Sequence, residues 1–354
     1  MSSTGRIQTV LGPLAPSALG VTLCHEHLSI DIRYFVEKSQ PPEHIKHLKY
    51  LPFCLENVDK LKDHPYFNVD NMRTDDEHDA ILEELIYFKK NGGATIVDNS
   101  TVGMKRDVEV YREFARKTGV NVVAGSGFYH EPGVAASQPS VLAMAVEEMS
   151  EVMLKDLTEG CDGTDIKCGV IGEVGCSWPL TDFEKRNLRA TAEVQAATGC
   201  PVILHPGPNG DGAFEMVRIL QEAGCDIKKT VMSHLDRTII DYDDLVTFAQ
   251  TGCICEYDMF GCEQAYEGQP WSFNMPDDDE KVRRVKHLCD EGFEDKITVG
   301  HDHHSKHSLM KYGGHGFSHI LLNIVPKMLK VGITQQQIDK ILIHNPKEWL
   351  TFKC

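Results

Sequence analysis

The sequence predicts a single α/β domain, residues 1–354, folded as a (β/α)8 TIM barrel. Eight short apolar runs rich in β-branched residues alternate with longer stretches of helical spacing. From the second run onward the starts are about 25–45 residues apart, which fits a strand-plus-helix unit of roughly 30 residues or more. A doubly wound sheet is the alternative, but no Gly-rich phosphate-binding motif follows any early strand.

The eight apolar runs are the predicted strands. In chain order they are Gly20–Cys24, Ala94–Asp98, Val120–Gly125, Cys168–Glu173, Pro201–His205, Thr230–His234, Gly252–Glu256 and Lys296–Gly300. Helices are predicted between and after them at 77–91, 105–118, 139–159, 183–198, 210–223, 241–250, 278–291, 318–331 and 334–350. Pro326 is expected to begin or kink its helix, because proline has no backbone N–H.

Residues 31–74 interrupt this alternation. The stretch contains Pro41 and Pro42, many charges and several aromatic side chains. Loops of this length are usually functional or disordered. We therefore expect an insertion after the first strand that lies over the end of the barrel carrying the active site.

The composition excludes several classes of partner. Lys and Arg number 36 against 53 Asp and Glu, a formal net charge of −17, whereas nucleic acid and anionic membranes need dense basic surfaces. No apolar run reaches the ~18 residues of a membrane span. The first 20 residues, broken by Pro13 and Pro16, do not resemble a signal peptide, so the twelve cysteines are expected to be reduced thiols in the cytoplasm. A monomer and a homo-oligomer are both compatible with the sequence.

Two histidines end the first predicted strand. In a strand, residues i and i+2 point to the same side, so His25 and His27 are expected to project together, with Cys24 and Glu26 on the other side. Two neighbouring imidazoles suit one divalent transition metal. The alternative is a pair of hydrogen-bonded core histidines.

Similar residues end four later strands. Glu173 closes the fourth strand, His205 the fifth and His234 the sixth, and Asp302 follows the eighth. A carboxylate at the end of an apolar strand is costly unless it is paired or bound to a metal. The carboxyl ends of the strands are where barrel enzymes build their active sites.

Four histidines and two carboxylates are too many ligands for one tetrahedral ion. They suit two divalent metal ions with a bridging carboxylate and a bridging hydroxide. We expect one ion at His25, His27 and Asp302, the other at His205 and His234, and Glu173 as the bridge. Zinc is the default for an imidazole-rich set, with manganese, cobalt or iron as alternatives.

With these residues in place, the chain resembles the phosphotriesterase family of the amidohydrolase superfamily over essentially its whole length. The segment 20–28 resembles the family's N-terminal signature, and His205, His234 and Asp302 match its ligands on strands 5, 6 and 8. The resemblance implies a (β/α)8 barrel with a binuclear metal centre. Many members bridge the metals with a carboxylated lysine, whereas this position holds Glu173; Lys167 lies too early in the strand to serve.

Such a site predicts hydrolysis of an amide, ester, lactone or phosphoester by attack of the bridging hydroxide. Asp302 would be the catalytic residue that takes the attacking proton and delivers it to the leaving group. Similarity to the animal branch of the family implies amide hydrolysis of N-acyltaurines, chiefly N-acetyltaurine, to taurine and a carboxylate. A lactonase or phosphoesterase of the same chemistry and a non-catalytic metal-binding scaffold are the alternatives.

An N-acyltaurine is a small anionic amide whose sulfonate needs local cations and hydrogen-bond donors. Arg237 is favoured because it follows the ligand His234 by three residues, with Arg33, Lys105, Lys306 and Lys311 as further candidates. Tyr129 and His130 are expected to line the acyl side. Each of these residues has an alternative interpretation as a solvated loop residue, and His301, His303, His304 and His307 are interpreted as partly exposed loop histidines.

Overall fold

Ten strands form two sheets in the computed structural model, which describes residues 5–263 and 275–353. A small antiparallel hairpin precedes a sheet of eight parallel strands. The strands are β1 (Ile7–Thr9), β2 (Gly12–Leu14), β3 (Val21–Glu26), β4 (Gly93–Asp98), β5 (Asn121–Ser126), β6 (Val170–Gly175), β7 (Val202–His205), β8 (Thr230–Met232), β9 (Ile254–Tyr257) and β10 (Ile297–Val299).

Helices connect the parallel strands and surround the sheet. Their bounds are α1 (Tyr34–Lys38), α2 (Val58–Leu61), α3 (His78–Lys90), α4 (Val108–Thr118), α5 (Glu131–Ser137), α6 (Val146–Thr158), α7 (Asp182–Thr198), α8 (Gly210–Glu222), α9 (Leu235–Thr238), α10 (Tyr242–Gln250), α11 (Asp278–Asp290), α12 (Val325–Lys330), α13 (Gln335–Asp339) and α14 (Asn345–Leu350). No helix in the described part of the chain is long and apolar enough to cross a membrane.

The parallel strands are arranged in sequence order from β3 to β10, as the predicted barrel requires. The two outer strands of the sheet meet where the Asp302 N–H donates a 3.0 Å hydrogen bond to the His25 carbonyl oxygen. A Cβ atom at Gly300 would lie 2.7 Å from that carbonyl oxygen, so only glycine allows this approach. The (β/α)8 barrel expected from the sequence is therefore confirmed.

Strand β3 departs from strict alternation. Its pairing with β4 matches Leu23 to Ile96 and Glu26 to Asp98, so β3 has one residue more than its partner in this interval. Cys24, expected on the opposite side from His25, packs instead in the cluster that includes Val97 and one residue from each of several other barrel strands. The prediction for Cys24 was wrong because the irregular register breaks the two-residue period.

The insertion 31–74 is anchored at both ends. The Thr74 N–H donates to the Ile30 carbonyl oxygen at 2.9 Å, and the Ile32 N–H donates to that of Met72 at 3.1 Å. Its short helices are α1, α2 and two 3₁₀ turns at 43–48 and 65–67. These bonds hold the insertion over the carboxyl end of β3, as the sequence predicts.

Two helices near the C-terminus are interrupted by π turns. Ile320–Ile324 precedes Pro326 at the start of α12, and Lys340–His344 precedes Pro346 at the start of α14. A proline in a helix removes one backbone hydrogen bond and crowds the preceding turn, so the wider turn accommodates it. The region 334–350, predicted as one helix, is divided for this reason.

Candidate metal centre

The six predicted ligands converge at the carboxyl ends of the barrel strands. Their nitrogen and oxygen atoms form two groups, each with all atoms within 4.8 Å of one another: His25, His27 and Asp302, and Glu173, His205 and His234. These are the two sets that the sequence predicts, and the His25 and His27 rings do lie together, 5.4 Å apart.

Glu173 lies between the two groups. Its Oε2 atom is 2.6 Å from His205 Nδ1, 3.5 Å from His234 Nε2 and 3.6 Å from His25 Nε2. Its Oε1 atom is 3.4 Å from His27 Nε2. One carboxylate thus faces all four imidazoles, which is the position of a bridging ligand.

The backbone is strained at two of the six positions. His234 and Asp302 have φ angles of 57° and 54°, in the left-handed region that non-glycine residues rarely adopt. Such conformations cost about 1–3 kcal/mol each and cluster at functional sites. Here they turn the two side chains into the cluster directly after β8 and β10 end.

A glycine precedes the bridging carboxylate. Gly172 has a φ of 128°, and a Cβ atom there would lie 2.2 Å from the Ile203 carbonyl oxygen of the adjacent strand. Gly172→Ala is therefore expected to lower the free energy of unfolding by about 2–5 kcal/mol, measured by urea denaturation. The control is Gly224→Ala, because Gly224 has a φ of 85° but open space around it. Equal losses in both variants would contradict the predicted clash.

One buried nitrogen atom indicates that a cation fits among the predicted ligands. The Nε2 atom of His25 is buried and has no hydrogen-bond partner among the described residues. It points at Glu173 and at Asp302, whose Oδ1 atom is 3.8 Å away. Leaving a buried polar atom unpaired costs about 1–3 kcal/mol. A cation bound between these groups would remove that cost, so the donor set fits a metal.

The electrostatics of the cluster favour bound positive charge. Burial raises the pKa of Glu173, but the surrounding histidines outweigh burial and hold it well below its usual value. Burial lowers the pKa of His27, but the hydrogen bonds to Asp302 and Glu173 outweigh it and raise the value to about 9. Burial lowers the pKa of His205 to about 3, so its neutral ring offers a lone pair. Ionised carboxylates next to imidazole lone pairs are the donor chemistry of divalent transition metals.

Two further residues orient the histidines. Asp258 accepts a hydrogen bond from Nδ1 of His234 at 2.9 Å, and its Oδ2 atom lies 2.8 Å from Nδ1 of His25, which is hydrogen-bonded to Glu256 at 3.3 Å. The Ser100 hydroxyl lies 2.8 Å from His27 Nδ1. These contacts fix three rings with Nε2 turned to the cluster. The sequence analysis missed Asp258, although it directly follows β9 and so lies at the same end of the barrel as Asp302.

Removing the charge of Asp258 should weaken the orientation of the His25 and His234 rings. Asp258→Asn is expected to weaken metal binding by about 10–100-fold, the usual cost of losing such an orienting partner. Competition with a chromophoric chelator measures the affinity. Asp243→Asn, at an exposed position on α10, is the control. Unchanged affinity in both variants would show that Asp258 does not orient the site.

The cluster opens into a cavity of about 260 Å³. This volume is near the lower end of small-molecule sites, which span roughly 300–1,000 Å³. Arg237, Tyr129 and His130 line it, as the sequence analysis expects of substrate-binding residues. Among the described lining residues, Arg237 is the one Lys or Arg, and it is 8% exposed.

Two hydrogen-bond donors meet on the cavity side of His205. The ionised Glu173 carboxylate only accepts hydrogen bonds, so the neutral His205 ring carries its proton on Nδ1 and its Nε2 atom is an acceptor. The Tyr129 hydroxyl and Arg237 Nη2 each lie 3.4 Å from that Nε2 atom. Arg237 also donates to the Pro206 carbonyl oxygen at 3.2 Å. The arrangement forms a cationic, donor-rich pocket beside the cluster.

His130 contributes a neutral donor. Its Nδ1 atom accepts a 3.0 Å hydrogen bond from the Gly133 N–H, and burial lowers its pKa to about 4. The ring proton therefore lies on Nε2. The His130 ring packs 4.0 Å from that of Tyr129, which keeps both on the same side of the cavity.

The other candidate cations lie outside the cavity and are paired. Arg33, a further candidate from the sequence, does not line this cavity, and its Nε and Nη2 atoms donate to Asp31 at 2.9 and 2.7 Å. The three lysines are held by acidic residues in the same way: Lys105 by Asp31 and Asp75, Lys306 by Asp70 and Asp76, and Lys311 by Glu77.

The histidines after β10 are more buried than expected. His303 and His304 are 5% and 8% exposed, because the insertion covers this loop. His304 Nε2 lies 2.5 Å from the Tyr66 hydroxyl of the insertion, and its Nδ1 lies 3.2 Å from Asp302 Oδ1. The loop histidines therefore join the insertion to the metal cluster.

A parallel barrel with clustered imidazoles and carboxylates at its carboxyl end has the fold and site of a metal-dependent hydrolase. The chain belongs to the phosphotriesterase family, whose sequence model matches residues 5–350. The similarity expected from the motifs is thus confirmed over nearly the whole chain.

Three individual proteins show how far this similarity extends. N-acetyltaurine hydrolase of Mus musculus is 52% identical over 353 residues, and that of Homo sapiens is 50% identical over 354 residues; each alignment covers 99% of both chains. A solved structure described as a resiniferatoxin-binding protein from Rhodobacter sphaeroides has a TM-score of 0.92 at 31% identity. It covers 99% of this chain and 98% of its own.

Proposed function

We propose that this chain, as a single barrel domain, hydrolyses the amide bond of N-acyltaurines, chiefly N-acetyltaurine, to taurine and acetate or another carboxylate. Relatives of equal length and about half-identical sequence are named for this activity. The observation that carries the proposal is the donor-rich pocket around Arg237, which lies directly beside the predicted metal ligands. A small anionic amide has the charge and size that this cavity accepts.

The proposed cofactor is a pair of divalent metal ions, zinc by preference, with manganese, cobalt or iron as alternatives. One would be held by His25, His27 and Asp302, the other by His205 and His234, and both by Glu173. When bound, such ions lower the pKa of water at the site and polarise the substrate carbonyl.

Asp302 is the proposed catalytic residue. Its carboxylate lines the cavity and lies 3.1 Å from His27 Nε2, so one edge faces the cluster while the other reaches substrate. It can accept the proton of the attacking water and return it to the amide nitrogen as taurine leaves. The side chain is only 10% exposed, which shields this transfer from bulk water.

The sulfonate is proposed to bind at Arg237 and the Tyr129 hydroxyl, although the sequence analysis expects Tyr129 on the acyl side. These two groups offer donors around one point, to which the sulfonate oxygens bind. Because Arg237 is buried, its charge is weakly screened and its attraction for an anion is strong. This contact fixes the substrate so that its amide lies over the cluster.

We also propose a cytoplasmic location. All eleven cysteines in the described part of the chain are free thiols, as expected in a reducing compartment. The net charge of −17 supports a small-molecule substrate over nucleic acid or an anionic membrane surface as the partner.

The test is acetate release from N-acetyltaurine by the purified, metal-loaded protein, with Glu173→Ala as the control. A γ-lactone and a phosphotriester are assayed in parallel. Turnover of N-acetyltaurine that is lost in the variant supports the proposal. Equal rates in both proteins, or faster turnover of the lactone or phosphotriester, would overturn it.

A further inference from the structure

The substrate cavity has an apolar side and a mixed side, where Trp178, Pro206, Pro208 and Met259 line the cavity together with Arg237. Arg237 lies in α9 after β8, whereas four buried or half-buried apolar residues follow β3 and β4: Ile30, Ile32, Phe35 and Met104. In a closed ring of eight strands ordered from β3 to β10, β8 is four positions from β4. The cation and the apolar residues therefore face each other across the cavity, with the predicted metal ligands between them.

The apolar side is held rigidly by backbone hydrogen bonds. The Asp31 N–H donates to the Met104 carbonyl oxygen at 3.0 Å, which joins the loop after β3 to the loop after β4. The two bonds that anchor the insertion fix Ile30 and Ile32 on either side of Asp31. These bonds set the backbone positions from which Ile30, Ile32 and Met104 reach the cavity.

Phe35 extends the apolar side. Its ring stacks 4.5 Å from that of Tyr34 and meets the His130 ring edge-on at 5.4 Å. The ring is thus held between α1 and the segment after β5, and it contributes the largest side chain of the apolar side.

We propose that Ile30, Ile32, Phe35 and Met104 form the acyl pocket and restrict the enzyme to short acyl groups. The proposal rests on the proposed function, because it takes the substrate to be an N-acyltaurine. The opposite orientation would place the sulfonate against apolar side chains and away from Arg237, and an unpaired sulfonate charge there is costly. The acyl group therefore lies against the apolar side, and the cavity of about 260 Å³ leaves little room beyond it.

The test compares kcat/KM for N-acetyl-, N-butyryl- and N-hexanoyltaurine in the wild type, Phe35→Ala and Met104→Ala. Each additional methylene group of the acyl chain that the enlarged pocket buries is expected to raise kcat/KM about fourfold. The butyryl-to-acetyl ratio is therefore expected to rise about 10–20-fold in at least one variant, and the hexanoyl-to-acetyl ratio further. Phe214→Ala, at a half-buried position on α8 remote from the cavity, is the control and should leave both ratios unchanged.

The outcomes separate this inference from the proposed function. If the wild type releases no acetate from N-acetyltaurine, the proposed function fails. If the wild type is active but neither variant changes the ratios, the acyl pocket is wrong while the function stands. If one variant fails to fold, as judged by its melting temperature, the other gives the answer. A wild type that already prefers the hexanoyl substrate would also overturn the inference.

Discussion

Replacing Glu173 by Gln is expected to lower kcat for N-acetyltaurine by about 10³-fold or more and to reduce the bound metal from two ions per chain to one or fewer. The change keeps the shape of the side chain and removes only its charge. Loss of metal-based charge stabilisation amounts to several kcal/mol, which corresponds to a rate change of this size. Turnover assays and elemental analysis of the same preparation measure both effects.

The expected effect is large because this carboxylate faces four imidazoles. Its two oxygens lie within 3.6 Å of nitrogens from His25, His27, His205 and His234. An amide presents one oxygen and one NH₂ group, so it can neither balance two cations nor offer both atoms as ligands. At least one half of the site therefore loses a ligand in Glu173→Gln.

Glu184→Gln is the matched control. Glu184 is also buried, but it bonds Ser177 and the backbone of Thr181 at the start of α7, away from the cluster. This variant should lose stability and keep both metal ions. If Glu173→Gln retained two ions and full turnover, the bridge assignment would be wrong.

Arg237→Met is expected to lower kcat/KM for N-acetyltaurine by about 30–1,000-fold, mainly through a higher KM. Removing one partner of a buried, hydrogen-bonded charge pair costs about 2–4 kcal/mol, which gives this range. For N-acetylethanolamine, which lacks the sulfonate, kcat/KM of the variant should fall only slightly. Steady-state kinetics on the two substrates separate loss of anion binding from general damage to the site.

Arg33→Met distinguishes the two arginines that the sequence offered for the sulfonate. Arg33 is bound to Asp31 outside the cavity, so its loss should change kcat/KM by less than about twofold. Arg237→Lys keeps the charge but not the planar fork, and it should fall between the wild type and Arg237→Met. A large loss in Arg33→Met with none in Arg237→Met would reverse the assignment.

The sequence by itself determined the barrel and the set of residues at its mouth. Apolar runs of strand length at regular separation require a parallel sheet with helical crossovers, and in that fold every strand ends on the same face. His205 and Glu173 could therefore be placed together although they are distant in the chain. The spacing of His25 and His27 predicted that their rings lie together, and they do, although β3 does not keep the strict alternation from which this was inferred.

Only the tertiary structure showed that Arg237 lines the cavity while Arg33 pairs with Asp31, that Asp258 lies behind two histidines, and that Ile32 and Phe35 of the insertion line the cavity. It also placed Cys24 inside the same cluster as Val97, against the expected alternation. These features depend on how the loops after different strands pack against one another and on which acidic side chain lies close enough to pair with each cation. Loop geometry and charge pairing are set by contacts between segments that are distant in sequence, whereas the strand pattern depends on residues that are adjacent in sequence.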